Sequence, residues 1–345
     1  MKKRANFPLL VKWMFLTGIA FLIFITIMRF VFFYHFAPHN YTFSNCLSAF
    51  LLGFHFDVRI VSGIVLFPFV VGNLHLKYNA KNRLTGGSVA QIILTVIIMV
   101  VLVYFMRKGH ATPSTLISIS ILFALILVWL FKTKNCNPFE IATSRVIFKI
   151  YFFLVALILV LLYAIDFEHF DYLHERLNAG AMNYLSDAKI SMNMVWETYP
   201  VTTLSILVII ATVLIYWLIV RWYKKIKKSS FTGHVVTRFL MGFFFALLLG
   251  LGVYGKLNQF PLRWSDAFTF DDNFKANLSL NPVQSFLSTL KFKNSNFDIK
   301  KVKEYYPLMV QYLGVQNPDS THLNYTRIHK AVSPANPPNV IVVIC

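Results

Sequence analysis

Acidic residues are scarce in this chain: 14 Asp and Glu stand among 345 residues, against 33 Lys and Arg. Charged residues of both signs reach only 14%, while hydrophobic residues reach 57%. That balance excludes an ordinary water-soluble domain, which needs a larger polar surface for its size. Cysteine is equally sparse. Cys46, Cys136 and Cys345 are scattered, with neither the paired spacing of a metal site nor the even count of a disulfide framework. Each reads as a small buried apolar residue. Also missing are matched Gly/Pro-broken apolar segments at corresponding places in two halves, the mark of a repeat-built transporter.

What is present in abundance is long apolar runs. Seven stretches, 9–33, 54–76, 89–106, 115–131, 146–165, 201–220 and 235–254, approach the length at which a helix crosses about 30 Å of hydrocarbon. The third and fourth are separated only by a tight turn at 107–114, so the expectation is an all-α polytopic membrane domain of five to seven transmembrane helices over 1–255. The first run follows Lys2, Lys3 and Arg4 but is too long for a signal peptide and lacks a small-residue cleavage site. It reads as a retained anchor, with Lys12 and Arg29 near its two ends, where long stems reach the headgroups without a buried partner.

The net charge of +19 does not imply nucleic acid, because the basic residues sit in alternate loops. They fall at the N-terminus, at Lys77, Lys81 and Arg83, at Lys132, Lys134, Arg145 and Lys149, and from Arg221 to Arg238. With seven spans these loops share one side, which the positive-inside rule makes cytoplasmic. The intervening loop carries Asp166, Glu168, Asp171, Glu175, Asp187 and Glu197 and reads as the outer face. The N-terminus is therefore expected inside and everything after Tyr254 outside, in a bacterial cytoplasmic (inner) membrane, with membrane lipids as the immediate partners.

Residues 256–338 are polar and mixed, and read as an extracytoplasmic linker with short helices. Asn281-Pro282 suits a helix start, Asn281 as cap and Pro282 in the first turn. Residues 298–313 have helical apolar spacing with Lys300, Lys301 and Lys303 on the exposed face, either a solvated face or a contact with anionic headgroups. Pro334, Pro337 and Pro338 then enforce an extended stretch before Asn339-Val340-Ile341-Val342-Val343-Ile344-Cys345. An unbroken β-branched run is the pattern of a strand covered on both faces of an α/β sheet, so 339–345 is expected to be the first strand of an α/β domain that continues beyond it.

Several short motifs, in order, carry a family resemblance. Pro338-Asn339-Val340 to Cys345, His55-Phe56-Asp57, Asp166-Phe167-Glu168, Arg176-Leu177-Asn178, Asn183-Tyr184-Leu185, Trp196-Glu197-Thr198-Tyr199-Pro200 and Leu280-Asn281-Pro282-Val283 together resemble the membrane half of lipoteichoic acid synthase-like phosphoglycerol and phosphoethanolamine transferases. These belong to the alkaline phosphatase and sulfatase superfamily. In that family the closing strand leads at once to a Glu-Ser-Phe whose glutamate ligates metal, and five spans and an Arg in place of His55 are common. The resemblance implies a two-step headgroup transfer at a divalent metal (Mn, Mg or Zn) through a threonine phospho-enzyme, all of it in the missing catalytic domain. It assigns no catalytic residue, cofactor or metal ligand to this chain, whose part would be anchoring and orienting. Cys345 lacks the Cys-x-Pro-x-Arg context of a formylglycine precursor. A sulfuric ester hydrolase of the same superfamily, a polytopic transporter and a non-catalytic membrane protein are the competing readings.

Ionisable groups at membrane depth are functional candidates, so the candidate lipid-headgroup path comprises His55, Asp57, Arg59, Asp166, Glu168, Arg176, Asn178, Trp196 and Glu197. On a helix His55 and Arg59 share a face while Asp57 points elsewhere. The cluster Asp166, Glu168, His169, Asp171, His174 and Glu175 has the wrong spacing for a helical metal site and reads as an amphipathic interfacial helix. Trp196, Tyr199 and Trp264 read as aromatic-belt anchors.

Overall fold

A computed structural model of the chain describes residues 3–4, 7–108, 113–185, 188–231, 233–290 and 298–327. The expected strand at 339–345 and the proline-rich stretch before it lie outside the described residues. Two compact units divide the chain, Met1–Lys291 and Phe292–Cys345.

The first unit is built on long helices: α1 (Leu9–Phe36), α2 (Leu47–Gly72), α3 (Gly86–Lys108), α4 (Pro113–Thr133), α5 (Ala142–Leu173), then a shorter α6 (Ala188–Thr198), and α7 (Val201–Lys227) and α8 (Val235–Tyr254). Among the described residues six helical segments are long and apolar enough to cross a membrane: Leu9–Phe36, Ser44–Gly72, Leu116–Thr133, Ala142–Leu173, Val201–Lys227 and Val236–Tyr254. The α3 helix coincides with the third expected run, and its described apolar stretch is the shorter Gly86–Ile97. A multi-pass membrane protein follows, since in hydrocarbon each backbone polar group must be satisfied within its own helix.

Packing is tightest where small or aromatic side chains let helices approach. At Gly252 of α8 a Cβ would collide with the Ser62 side chain of α2, the close backbone approach that small residues permit in membranes. Toward the start of α1, Trp13 is fully buried. Its ring stands 4.9 Å from Tyr223 and 5.4 Å from Phe152, both edge-on, and its indole N–H donates to the Ile219 carbonyl at 3.2 Å. Tyr223 in turn donates to the Pro138 carbonyl at 2.9 Å.

This end of the bundle also gathers the basic groups. The segment after α2 bonds to the one after α4, with Leu76 N–H donating to the Lys134 carbonyl at 2.8 Å and Cys136 N–H to the Leu74 carbonyl at 3.0 Å. The short strands β1 (Lys3–Arg4) and β2 (Ser229–Ser230) pair in parallel, and the Lys149 ammonium lies 5.5 Å from the centre of the Tyr223 ring. The start of α1, the ends of α2, α4 and α7 and the start of α5 thus share one end.

At the opposite end the chain does not leave the bundle as a free linker. Residues 256–290, with the helices α9 (Asn273–Ser279) and α10 (Pro282–Thr289), belong to the same compact unit, Met1–Lys291. The boundary expected at 255/256 therefore falls inside one folded body. The physical reason is apolar: Leu262 and Leu280 pack with Phe56 of α2, and Leu278 packs with Phe32, Phe33, Phe50 and Phe170.

Taken by itself, the second unit contains α11 (Ile299–Leu313), capped by the Asp298 carboxylate accepting from Lys300 N–H at 3.0 Å and ended by Gly314 at φ 64°. Tyr306 is buried; its hydroxyl donates to the Asn324 carbonyl and accepts from Asp319 N–H.

Trp13→Ala removes a fully buried aromatic and leaves the Ile219 carbonyl without its indole donor. The expected loss is on the order of 3 kcal/mol, read as a lowered thermal unfolding midpoint of the detergent-purified chain, whereas the exposed Phe15→Ala should leave that midpoint nearly unchanged.

Candidate functional site: a buried polar junction

Two of the rare charges in the apolar runs meet. Arg29, in the last third of α1, and Asp57, toward the middle of α2, are 3% and 1% exposed and form an ion pair at 2.6 Å. The guanidinium addresses both carboxylate oxygens, with Nε 3.2 Å from one and Nη2 2.6 Å from the other. Its other contacts are backbone carbonyls: Gly53 at 3.0 Å, Leu280 at 3.3 Å, and Leu278. All five N–H donors of the fork find acceptors, the condition under which a buried charge is tolerated. The carboxylate of Asp57 is closed from the far side by the Asn281 amide, donating at 3.0 Å.

This corrects the expectation that Arg29 reaches headgroups without a buried partner. Its position in the apolar run was legible; that Asp57 lies opposite was not, because pairing needs the packing of α1 on α2. Gly53 makes the approach possible: a Cβ there would overlap the guanidinium. Gly53 and Asp57 lie four residues apart, on one face of α2.

Asn281 has two roles at once. Its side-chain oxygen accepts from Gln284 N–H at 2.8 Å as the cap of α10, with Pro282 in the first turn, while its amide nitrogen serves Asp57. An Asn can do both because it carries an acceptor and two donors on one group.

A second buried pair lies alongside. Asp166 of α5 is fully buried, and one of its oxygens receives the Arg176 guanidinium. The other accepts Leu177 N–H at 2.8 Å, and Arg176 Nε donates to the Asn277 carbonyl at 2.8 Å. The guanidinium carbon sits 3.6 Å from the centre of the Phe32 ring, a cation–π contact in a desolvated setting. Burial lowers the Arg176 pKa, and Asp166 opposes that shift.

His55 and Arg59 share a face of α2, and Asp57 points elsewhere. The His55 Nδ1–H donates to the Gly255 carbonyl at 2.8 Å, and Arg59 donates to the Leu262 carbonyl. Both therefore staple the turn after α8, where Gly255 adopts φ 86°. Tyr41 donates to Asp272. Burial raises the Asp272 pKa, but the Tyr41 hydroxyl, the N–H groups of Lys275 and Phe274 and the Lys275 charge outweigh it, so the carboxyl titrates below its usual range.

The remaining candidates are not brought into this junction. The cluster after Asp166 is no separate interfacial helix: α5 continues to Leu173, and His174 ends it in the left-handed region at φ 55°. Its 32 residues span about 48 Å, longer than the hydrocarbon. Glu168 is half-buried there, and His169 Nδ1 bonds to the Glu175 carbonyl at 2.9 Å. Asn178 donates to Glu175 at 3.3 Å and accepts from Gly180 N–H at 2.8 Å, a local turn. Trp196 and Glu197 are exposed on α6. Among the described residues no group of three or more His, Cys, Asp or Glu is placed to hold a metal ion, so no step through a metal is derived from these residues. Arg29, Tyr41 and Asp272 are the junction residues that sequence reasoning missed; an unexplained Arg in one apolar run facing an Asp in the next was the available signal.

What this geometry does chemically is fix a segment. Three carbonyls and one amide from residues 277–281 are tied to charges in α1, α2 and the stretch after α5, with apolar packing around them. No family model, curated protein or solved structure matches the chain.

Arg29→Met leaves Asp57 buried without its cation, at an expected cost on the order of 3 kcal/mol, and the Arg29→Met/Asp57→Leu double variant should recover much of it. Thermal unfolding in detergent of the single and double variants checks this; equal destabilisation of both would contradict it. The Tyr41–Asp272 contact has a pH signature. Because the folded pKa is depressed, its stabilisation is present above about pH 4 and is lost as pH falls through the lowered value. Tyr41→Phe should therefore narrow the stability difference between pH 5 and more acidic conditions.

Proposed function

We propose that this chain is the membrane-anchoring and orienting half of an extracytoplasmic transferase that moves a phospholipid headgroup, phosphoglycerol or phosphoethanolamine, to a cell-envelope acceptor. The observation that carries the reading is the convergence of four of the motifs behind the resemblance. His55-Phe56-Asp57, Asp166-Phe167-Glu168, Arg176-Leu177-Asn178 and Leu280-Asn281-Pro282 are far apart in the chain, yet each contributes to the one buried junction. A bundle that only carried solute would have no evident use for so many buried contacts to a segment beyond its last span. An enzyme acting on a lipid in the adjacent leaflet does: its catalytic domain must be held at a fixed height and angle, and a rigid exit segment achieves that without loss of orientational freedom.

In this reading the basic end is cytoplasmic by the positive-inside rule, and the junction faces outward in a bacterial cytoplasmic membrane. The catalytic residues and the divalent metal belong to an α/β domain that follows this chain, with 339–345 expected to be its first strand. Membrane lipids and that domain are the partners.

The test begins with the coding sequence past Cys345, where Glu-Ser and an α/β domain are expected. The full-length product in membrane vesicles should then release diacylglycerol from a labelled phospholipid in a reaction that EDTA stops. In a background with Cys345 replaced by Ser, Lys81→Cys should be shielded from an impermeant thiol reagent in intact cells, and Asn258→Cys should react. A coding sequence without such a domain, or reactivity in the opposite order, would defeat the reading.

A further inference from the structure

Beside the junction, α2, α5 and α10 enclose a groove of about 540 Å³. Its walls are apolar, with Ile60, Gly63 and Ile64 on one side and Val155, Ile158 and Leu162 on the other. The groove opens on the outer surface of the bundle, since Ile158 is 56% exposed on its wall and Leu287 56% exposed at its end. From Val155 to Leu162 it follows α5 for about 10 Å. Its polar lining is confined to Arg59, Gln284 and Ser288, and Gln284 donates to Ser288 at 2.8 Å. Polar groups at the α10 end and hydrocarbon below them match the shape and polarity of a lipid.

Arg59 decides the charge of that lipid. It donates to the Leu262 carbonyl, and among the described residues it forms no ion pair. The nearby Asp266 is already paired with Lys256 at 2.7 Å. A half-buried guanidinium without a carboxylate, at the mouth of an apolar groove, is suited to a phosphate oxygen.

We infer that this groove holds one acyl chain of a phospholipid whose phosphate is bound by Arg59. The inference deepens the reading above and rests on it only for the membrane setting. Gly63 supplies the width. A Cβ built there meets nothing within 4 Å, so the position is open space and a larger side chain would occupy the volume assigned to the lipid chain.

The experiment uses the full chain purified in detergent and titrated with dioleoyl phosphatidylglycerol, dioleoylglycerol or inorganic phosphate, with bound adducts counted by native mass spectrometry. The wild-type protein should take up phosphatidylglycerol in preference to dioleoylglycerol, and phosphate alone should not compete. Gly63→Phe should weaken retention of both lipids about tenfold through lost chain burial. Arg59→Gln, which keeps a donor for Leu262, should weaken phosphatidylglycerol about tenfold and leave dioleoylglycerol unchanged, and Arg59→Lys should restore part of the preference. Gly242→Phe is the control, because a Cβ at that α8 position also meets nothing within 4 Å and lies away from the groove. If Gly63→Phe does not fold, Gly63→Leu replaces it. Unchanged retention in the folded groove variant, or competition by phosphate alone, overturns the assignment. Because the readout is binding to this chain, lipid retention here together with no headgroup transfer by the full-length product in vesicles would defeat only the proposed function.

Discussion

The Arg29–Asp57 pair is the constraint on which the end of the bundle opposite the basic loops depends. Removing two charges from water at the edge of hydrocarbon costs several kcal/mol per ion, and mutual attraction offsets that only when every remaining donor is used. Here the remaining donors are used on carbonyls of Gly53, Leu278 and Leu280, so two helices and a segment more than two hundred residues later become parts of one arrangement. The Arg29 fork cannot be satisfied by the two helices alone, because the Nη1 acceptors are the Leu278 and Leu280 carbonyls.

The two ends of the bundle are held by different physics. At the basic end, aromatic rings around Trp13 fill space, a few backbone bonds link the loops, and the Lys149 ammonium lies over the Tyr223 ring. At the other end charges go inward, each matched to a carboxylate or a carbonyl, with Phe32 beneath Arg176 and Phe56 beneath Leu280. Non-directional packing tolerates drift. A fork of five donors does not, and the segment leaving the membrane is tied to the end where geometry is more tightly specified.

Much of the helical frame was legible in the sequence, because a 20-residue apolar run has few other fates. The charge asymmetry between loops was equally plain, and the bundle gathers the basic loops at one end as that asymmetry implied. The helix cap at Asn281 followed from a local pattern and is present as such. The junction was legible only in fragments. The separation of His55 and Arg59 from Asp57 followed from helical spacing, but their acceptors are main-chain carbonyls, which no side-chain pattern reveals. Arg29 misled because a long stem near the end of a span can reach water, and only the packing of α1 on α2 shows that it turns inward. The polar composition of 256–290 suggested a linker, since sparse leucines carry little periodicity even when each is buried. The groove at Gly63 has no sequence signature, being the absence of a side chain.

The separation between Arg29 and its carbonyl partners sets an order of events during synthesis. Leu278 lies 249 residues after Arg29, so α1 and α2 must enter the membrane long before that carbonyl exists. In the interval Arg29 and Asp57 can neutralise one another, but part of the fork is served only by water or lipid headgroups. The last pieces to arrive replace those temporary partners, and until then this end of the bundle stays open. Completion of the polypeptide through Asn281 is thus what turns a set of inserted helices into a closed body.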